Sequence, residues 1–190
     1  MADKVKFGIK NLHYAMMTTD GPELSYETPK PIPGAVSFAM EPQGDSSPFF
    51  ADDTQYFVSI SNNGYSGDLE AALFPDEFQQ DVFGVSISTN DKVAVENAHV
   101  QSKRFALLFE EEGDMTGTKY VLFNCVATRP TRNFNTTNDT REPQTQKITV
   151  TASPLADGNS AAWTTEDTPS SVTEGWYDAV WIKDTTTAGG

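Results

Sequence analysis

The residues able to do chemistry are few. The chain holds two histidines, His13 and His99, and one cysteine, Cys125, among 190 residues. His13 lies within a strand pattern and His99 near a strand end, and neither has a cysteine or glutamate at metal-ligand spacing. Cys125 lies in an apolar strand, which is typical of a small buried side chain rather than a nucleophile. We therefore predict structural roles for all of them, with no metal and no cofactor.

Acidic runs and tryptophans are the remaining candidates. Asp52-Asp53 and Glu110–Glu112 lack the spacing of a calcium-binding loop, so solvated loops are favoured over calcium binding or an acidic hydrolase with paired carboxylates. No glycine-rich phosphate loop follows a strand and opens a helix. Trp163, Trp176 and Trp181 could stack on a sugar, but packing in a core or interface is favoured. We predict that the protein has no catalytic residues and is not an enzyme.

The charge balance restricts the partners. Asp and Glu number 27 against 13 Lys and Arg, which gives a formal net charge of −14. Such a protein does not bind nucleic acid tightly by neutralising phosphates. No apolar segment has the length of a signal peptide or of a membrane span, about 20 residues. We expect a protein made in the cytoplasm, with one domain and no membrane partner.

A short helix is predicted after Phe74. Pro75 suits the first helical position because its missing N–H costs nothing there, and Asp76 favours the positive end of the helix dipole. Gly84 suits the left-handed position just past the end. The apolar stripe that would pack this helix on a sheet consists of Phe74, Phe78 and Val82.

The rest of the chain has the alternation of short antiparallel strands. Asn62-Asn63-Gly64 is typical of a tight hairpin turn between "QYFVSIS" and the strand beginning at Tyr65. Both faces of 105–109 and 120–127 are apolar, so this hairpin is predicted to be central and covered on both sides. "WYDAVWI" is predicted to be the last strand. Eight to ten strands with one flanking helix predict an antiparallel β-sandwich or barrel.

Long loops are the unusual feature. We predict a single domain over 1–183, with loop or arm insertions near 20–34 and 128–144, and a flexible tail at 184–190. The first insertion is rich in proline and unsuited to a sheet interior. Ordering such loops costs entropy, so they are expected to bind something. The candidate subunit-contact residues in the loops are Pro22, Pro29, Pro31, Pro33, Phe49, Phe50 and Phe134.

The order of segments resembles a known family. A first strand "KVKFGIKNLHYA", a proline-rich loop, "NNGYSGDLEAALFPDEFQQDVFG", the central hairpin, "EPQTQKITVTASP" and "WYDAVWI" follow one another. Together they resemble the major tail proteins of long-tailed, non-contractile bacteriophages over nearly the whole chain. The most specific part is the stretch from Asn62 to Gly84.

The resemblance implies a structural virion protein of the phage tail, synthesised in the host cytoplasm. Six copies would close into a ring, and rings would stack into a tube through which DNA passes without being bound tightly. The implied partners are further copies and other tail proteins, namely the tape measure, the tail tip and the terminator. The alternative is a carbohydrate-binding or adhesin-type β-sandwich module. The aromatic content and the β-rich pattern support this alternative.

Overall fold

The computed structural model describes residues 8–20, 23–51, 54–113, 117–134 and 144–183, with the backbone alone over 46–51 and 54–60. The predicted contact residue Pro22, the acidic pair Asp52-Asp53 and the predicted tail at 184–190 lie outside the described residues. That tail and the division of the chain into one domain with insertions stay predictions.

Strands dominate the described chain, and two short helices accompany them. The strands are β1 (Gly8–Thr19), β2 (Ser25–Tyr26), β3 (Lys30–Pro31), β4 (Ala35–Pro42), β5 (Ser46–Ala51), β6 (Thr54–Ile60), β7 (Tyr65–Ala71), β8 (Ser86–Ile87), β9 (Ala94–Val95), β10 (Phe105–Glu112), β11 (Lys119–Ala127), β12 (Gln146–Ala152) and β13 (Ala161–Trp163). The helices are α1 (Asp76–Phe83), between β7 and β8, and α2 (Ser170–Glu174), after β13.

One large antiparallel sheet organises the fold. Its strand order is β2-β1-β10-β11-β12-β7-β4, with β3 paired to β1 and β13 paired to β11. Two separate pairs, β5-β6 and β8-β9, complete the described strands. The predicted fold class, mainly antiparallel β with a flanking helix, is confirmed, although the sheet is not closed into a barrel.

The sheet curls around its main core. The ring of Phe38 in β4 lies 5.4 Å from the ring of Phe109 in β10, although three strands separate β4 from β10 in the sheet. Leu107 and Phe109 of β10 join the core inside this curve, whereas Ala106 and Leu108 join a smaller core on the opposite face. The central strands are therefore covered on both sides.

Helix α1 packs against the open side of the curved sheet. Phe74, Phe78 and Val82 have no exposed surface, and Phe78 packs edge-on to Tyr14 of β1 with 4.9 Å between ring centroids. The helix ends at Gly84, whose φ of 65° is left-handed. Pro75 occupies the N-cap, one position before the predicted one.

The second face of the sheet is covered by the segment around Trp176, which the sequence pattern wrongly predicts to be a strand. The predicted last strand "WYDAVWI" is not a strand; it follows α2, and Trp176 is buried against the smaller core. The indole N–H of Trp176 donates to the carbonyl of Tyr120 at 3.4 Å. The preceding stretch contains β13 and α2. Apolar and aromatic residues resemble a strand in this sequence because they cover a sheet face.

The predicted hairpin at Asn62-Asn63-Gly64 is also wrong in its pairing. The turn exists, because Gly64 has φ 97° and its N–H donates to the side chain of Asn62 at 3.1 Å. However, β6 pairs with β5, while β7 pairs with β4 and β12. Local turn signals do not specify which strand is the partner, and here the partner lies further back along the chain.

Candidate assembly surface

An extended hairpin leaves the sheet at one end of β7. Pro42 of β4 faces Tyr65 of β7, and the ladder continues beyond them through the bond from Gln43 N–H to the Gly64 carbonyl at 2.8 Å. It resumes as β5-β6, where Ser46 faces Ile60. We call β5-β6 the extension hairpin, and among the described residues it pairs with no other strand.

A groove lies beside α1. The α1 groove has a volume of about 410 Å³ and lies between α1, the β8-β9 pair and the chain at 132–134 and 144–146. Gln79 and Gln80 contribute from the helix, and Ala72 and Leu73 from the end of β7. This groove collects elements that are far apart in sequence, so no local motif predicts it.

The walls of the groove carry exposed apolar side chains. Phe134 is 90% exposed, Leu73 is 61% exposed and Ile87 is 39% exposed. Exposed apolar side chains gathered at a groove, with polar residues between them, make this groove a candidate interaction site. Four of the predicted contact residues have described side chains. Phe134 lines this groove, whereas Pro29, Pro31 and Pro33 do not.

Ion pairs hold the wall that carries Phe134. Glu96, which follows β9, pairs with Arg129 at 2.8 Å and with Arg132 at 3.8 Å. The guanidinium of Arg132 also donates to the side chain of Gln79 at 3.4 Å. The segment after β11 is thereby fastened to both other sides of the groove.

The proline-rich segment is docked rather than free. Over 23–34 it runs along the edge of β1, where His13 faces Pro31 and the N–H of Ile32 donates to the carbonyl of Leu12 at 2.8 Å. Ile32 and Pro29 are buried, whereas Pro31 and Pro33 are exposed. The insertion predicted near 20–34 is therefore held on the subunit over this part, because the apolar residues between its prolines anchor it. Pro29 is not available for subunit contact in this structure.

The predicted loop around Phe49 and Phe50 is a strand. Both residues belong to β5, and Phe49 faces Phe57 of β6. Pro48 fits there because β5 has an unpaired outer edge among the described strands. The predicted insertion at 128–144 is described at 128–134 and at Gln144. Its first part runs alongside β12 through the bond from Thr131 N–H to the Lys147 carbonyl at 3.0 Å.

A cluster around Lys30 joins the docked segment to α1. The Lys30 ammonium lies 2.7 Å from Asp81 and 3.0 Å from Glu77. Hydrogen bonds to these two carboxylates raise the pKa of Lys30. Burial, together with its hydrogen bond to Asp81, raises the pKa of the Tyr14 hydroxyl. The sequence gives no signal for this cluster, since its members come from three elements.

Glu110 is the one member of the acidic run that is buried. It pairs with Lys10 at 3.1 Å and Lys119 at 3.4 Å, and it accepts a hydrogen bond from the Asn11 amide at 2.9 Å. Desolvation raises its pKa, but the bonds from Asn11 and Lys10 and the charges of both lysines outweigh it and lower the pKa. The prediction of a solvated loop is wrong at Glu110, because β10 extends through Glu112.

The chemically capable residues lie apart from one another. Cys125 is fully buried, and this burial raises the pKa of its thiol. His13 packs 4.4 Å from the Tyr177 ring, while His99 is exposed after β9. Within the described ranges no group of three or more His, Cys, Asp or Glu side chains is arranged to hold a metal ion. No helix in that same part is long and apolar enough to cross a membrane.

Comparisons with family models and with curated proteins gave no match. Solved structures do match. The sheath/tube terminator of an extracellular contractile injection system, PVC, in the extended state has a TM-score of 0.48 and 12% identity over 86% of this chain and 100% of its own.

Two further structures are similar over comparable lengths. The tube-terminating cap of the anti-feeding prophage has a TM-score of 0.44 and 16% identity over 87% of this chain and 99% of its own. A chain of the PVC sheath-tube complex in the extended state has a TM-score of 0.47 and 10% identity over 86% and 95%. At TM-scores this low we draw no function from the likeness itself.

Proposed function

We propose that this protein is a structural subunit of a phage tail, whose copies close into stacked hexameric rings and form the tube through which DNA passes. The observation that carries this proposal is the extension hairpin. A two-stranded hairpin is marginally stable alone in water, and this one continues off the sheet without another strand beside it in the described chain. Such an element is stabilised by contact with another subunit.

The α1 groove and the sequence supply further support. The groove offers apolar surface on a different part of the molecule, as a subunit that joins unlike surfaces requires. The segment from Asn62 to Gly84, on which the family resemblance chiefly rests, forms the turn, β7 and α1 that connect the hairpin to the groove. The role requires self-association and contacts with other tail proteins, and it requires no catalysis.

The acidic composition suits a channel for DNA. With a formal charge of −14, the subunit can present carboxylates to the lumen, and a negative wall lets the phosphate backbone slide rather than bind. A structure of the assembled tube tests this part of the proposal. We expect an excess of Asp and Glu on the lumen wall, and a basic or neutral wall would contradict it.

Light scattering over a concentration series tests self-association. We expect monomers or small oligomers in dilute solution and a steep rise in mass as the concentration increases. Tube interfaces of this kind should bury on the order of 2,000 Å² or more for each pair. A mass that stays monomeric at every concentration, even with tail-tip seeds, would contradict the proposal.

One observation favours a second candidate, a carbohydrate-binding module. Trp163 is 56% exposed, and its ring lies 6.4 Å from that of Tyr120, which offers an aromatic surface to a sugar. Titration with a panel of oligosaccharides distinguishes the two functions. Saturable binding that Trp163→Ala abolishes, in a protein that stays monomeric, would favour this candidate over the tube subunit.

A further inference from the structure

We propose that the side chains of Lys119 and Asn11 join in an isopeptide bond, with Glu110 as the group that moves the proton. The lysine nitrogen replaces the amide nitrogen of the asparagine, which leaves as ammonia. The bond fastens β1 to β11 across β10, in a chain whose single cysteine allows no internal disulfide. This inference goes beyond the proposed function and does not depend on it.

One carboxylate oxygen holds both reacting groups. Oε2 of Glu110 accepts a hydrogen bond from the Asn11 amide at 2.9 Å and another from the Lys119 ammonium at 3.4 Å. The other oxygen, Oε1, pairs with Lys10 at 3.1 Å. The nucleophile and the electrophile therefore lie beside the same proton acceptor, and such positioning is what accelerates an intramolecular reaction.

The sheet register and a bulge bring the three groups together. Glu110 faces Lys10 on one neighbouring strand and Lys119 on the other, and directly opposite side chains share one face of a sheet. The register of β1 shifts between Lys10 and His13, where Asn11 has φ 51°. Bulges redirect side chains, and this one turns the Asn11 amide toward Glu110. A left-handed backbone accounts for an asparagine here, but it does not account for the carboxylate shared with a lysine.

The two reacting side chains are long enough to meet. The strands that carry them flank β10 on either side. Neighbouring strands lie about 4.8 Å apart, which places β1 and β11 roughly 10 Å apart. A lysine and an asparagine side chain joined end to end span this distance. Because both already reach the same oxygen of Glu110, the bond forms with small movements of two side chains.

The cluster is sheltered by the segment that covers this face of the sheet. Glu110 is 6% exposed, and the Lys119 nitrogen lies 5.0 Å from the centroid of the Tyr177 ring. The other neighbour of that ring is His13, at 4.4 Å. The Tyr177 hydroxyl is buried and has no hydrogen-bond partner among the described residues. Shelter from water limits the competing hydrolysis of the amide.

Atoms and charges balance without a further reactant. Glu110, whose carboxylate is ionised at neutral pH, accepts a proton from the Lys119 ammonium. The neutral amine then attacks Cγ of Asn11, and a bond forms between Nζ and Cγ. The bond from Cγ to Nδ2 breaks as Glu110 returns the proton to Nδ2, which departs as ammonia. The second proton of the lysine nitrogen goes to solvent, so ammonium is the net by-product.

The protonation of the lysine sets the rate. Only the neutral amine attacks, and a lysine side chain is almost wholly charged at neutral pH. The reaction is therefore slow there, and freshly prepared protein holds the free side chains that the structure has. Comparisons of stability at Glu110 refer to this freshly prepared form. Incubation at about pH 9 raises the neutral fraction of the amine and speeds the reaction.

Mass spectrometry of the intact protein tests the proposal. We expect folded wild type incubated at about pH 9 to lose the mass of one ammonia molecule. Tryptic mapping should give a branched peptide that contains Asn11 and Lys119, and denatured wild type should give none. The mapping is needed because Asn63-Gly64 can also lose ammonia, through a cyclic imide.

Substitutions separate the three roles. Asn11→Gly removes the electrophile and suits the left-handed backbone, whereas Lys119→Arg removes the nucleophile and keeps the charge. Neither variant should give the branched peptide, and Glu110→Gln should form it at least about a hundredfold more slowly. Lys103→Arg, at an exposed lysine outside the cluster, is the matched control and should react like the wild type. Circular dichroism checks that each variant is folded.

Four results would overturn the inference. In the first, folded wild type keeps its full mass. In the second, the loss of ammonia maps to Asn63-Gly64 alone. In the third, the branched peptide contains Lys10 instead of Lys119, and in the fourth, Glu110→Gln reacts as fast as the wild type. If Lys119→Arg does not fold, the peptide map of the wild type still decides between the two lysines.

Discussion

The Lys30 ammonium lies 2.7 Å from the Asp81 carboxylate, and the same carboxylate oxygen accepts a hydrogen bond from the Tyr14 hydroxyl at 2.9 Å. One atom of α1 thereby joins β3 and β1. The proline-rich segment is held to the helix by this cluster as well as by its own buried residues. The segment is part of the folded subunit before any assembly.

Lys30→Met should lower the free energy of unfolding by about 1 kcal/mol. The loss is small because the ion pairs of Lys30 are partly exposed and the substitution removes only the contacts of the lysine. Because the pKa of Lys30 is raised in the folded protein, its stabilisation is present below the ordinary value of 10.5 and declines as the pH rises through the raised value. Urea unfolding at several pH values measures both effects. Lys103→Met, at an exposed lysine, is the control, and an equal loss there would contradict the account.

Ile32→Ala tests the docking of the proline-rich segment. Ile32 is 2% exposed, so we expect a loss of about 2–5 kcal/mol from the lost burial and the cavity. Pro33→Ala, at the exposed neighbouring residue, should cost much less. Thermal melts of the two variants make the comparison. Equal melting temperatures would show that Ile32 does not hold the segment to the subunit.

Phe78→Ala tests the packing of α1. The Phe78 ring contacts the rings of Tyr14, Phe74, Phe83 and Phe105, so its removal should cost about 3–5 kcal/mol. Gln80→Ala, whose amide donates to the Asp76 carbonyl at 3.2 Å on an exposed face, should cost less than about 1 kcal/mol. Chemical unfolding measures both. A loss at Gln80 as large as that at Phe78 would refute the packing described for α1.

Glu110→Gln tests the buried carboxylate. We expect a loss of about 1–3 kcal/mol at neutral pH, because charge-assisted hydrogen bonds are weakened. The lowered pKa of Glu110 means that its stabilisation is present above its ordinary value of 4.5 and is lost as the pH falls through the lowered value. Unfolding free energies from pH 7 downward should therefore converge for wild type and variant. A constant difference down to the lowest pH would contradict this role.

The sequence predicts the elements whose signals are local. In "KVKFGIKNLHYA" the apolar alternation slips at Asn11, which predicts a bulge, and the structure has a register shift between Lys10 and His13, with φ 51° at Asn11. The helix after Pro75 follows from its stripe and its terminal residues. The buried strands β10 and β11 follow from apolar residues on both faces.

Features made by distant partners are not predictable in this way. The pairing of β7 with β4 depends on which strand lies opposite, and the turn at Gly64 carries no information on that. The α1 groove joins Leu73, Ile87 and Phe134, which have no common spacing. Glu110 resembles its acidic neighbours in sequence, and its burial follows only from Lys10 and Lys119 meeting it in the fold.

Negative-stain electron microscopy of the concentrated, purified protein tests the central claim most directly. The account predicts rings with six-fold symmetry and stacks of such rings with a central channel. Fields of separate particles the size of one 20.8 kDa chain, at every concentration and with tail-tip seeds present, would contradict it.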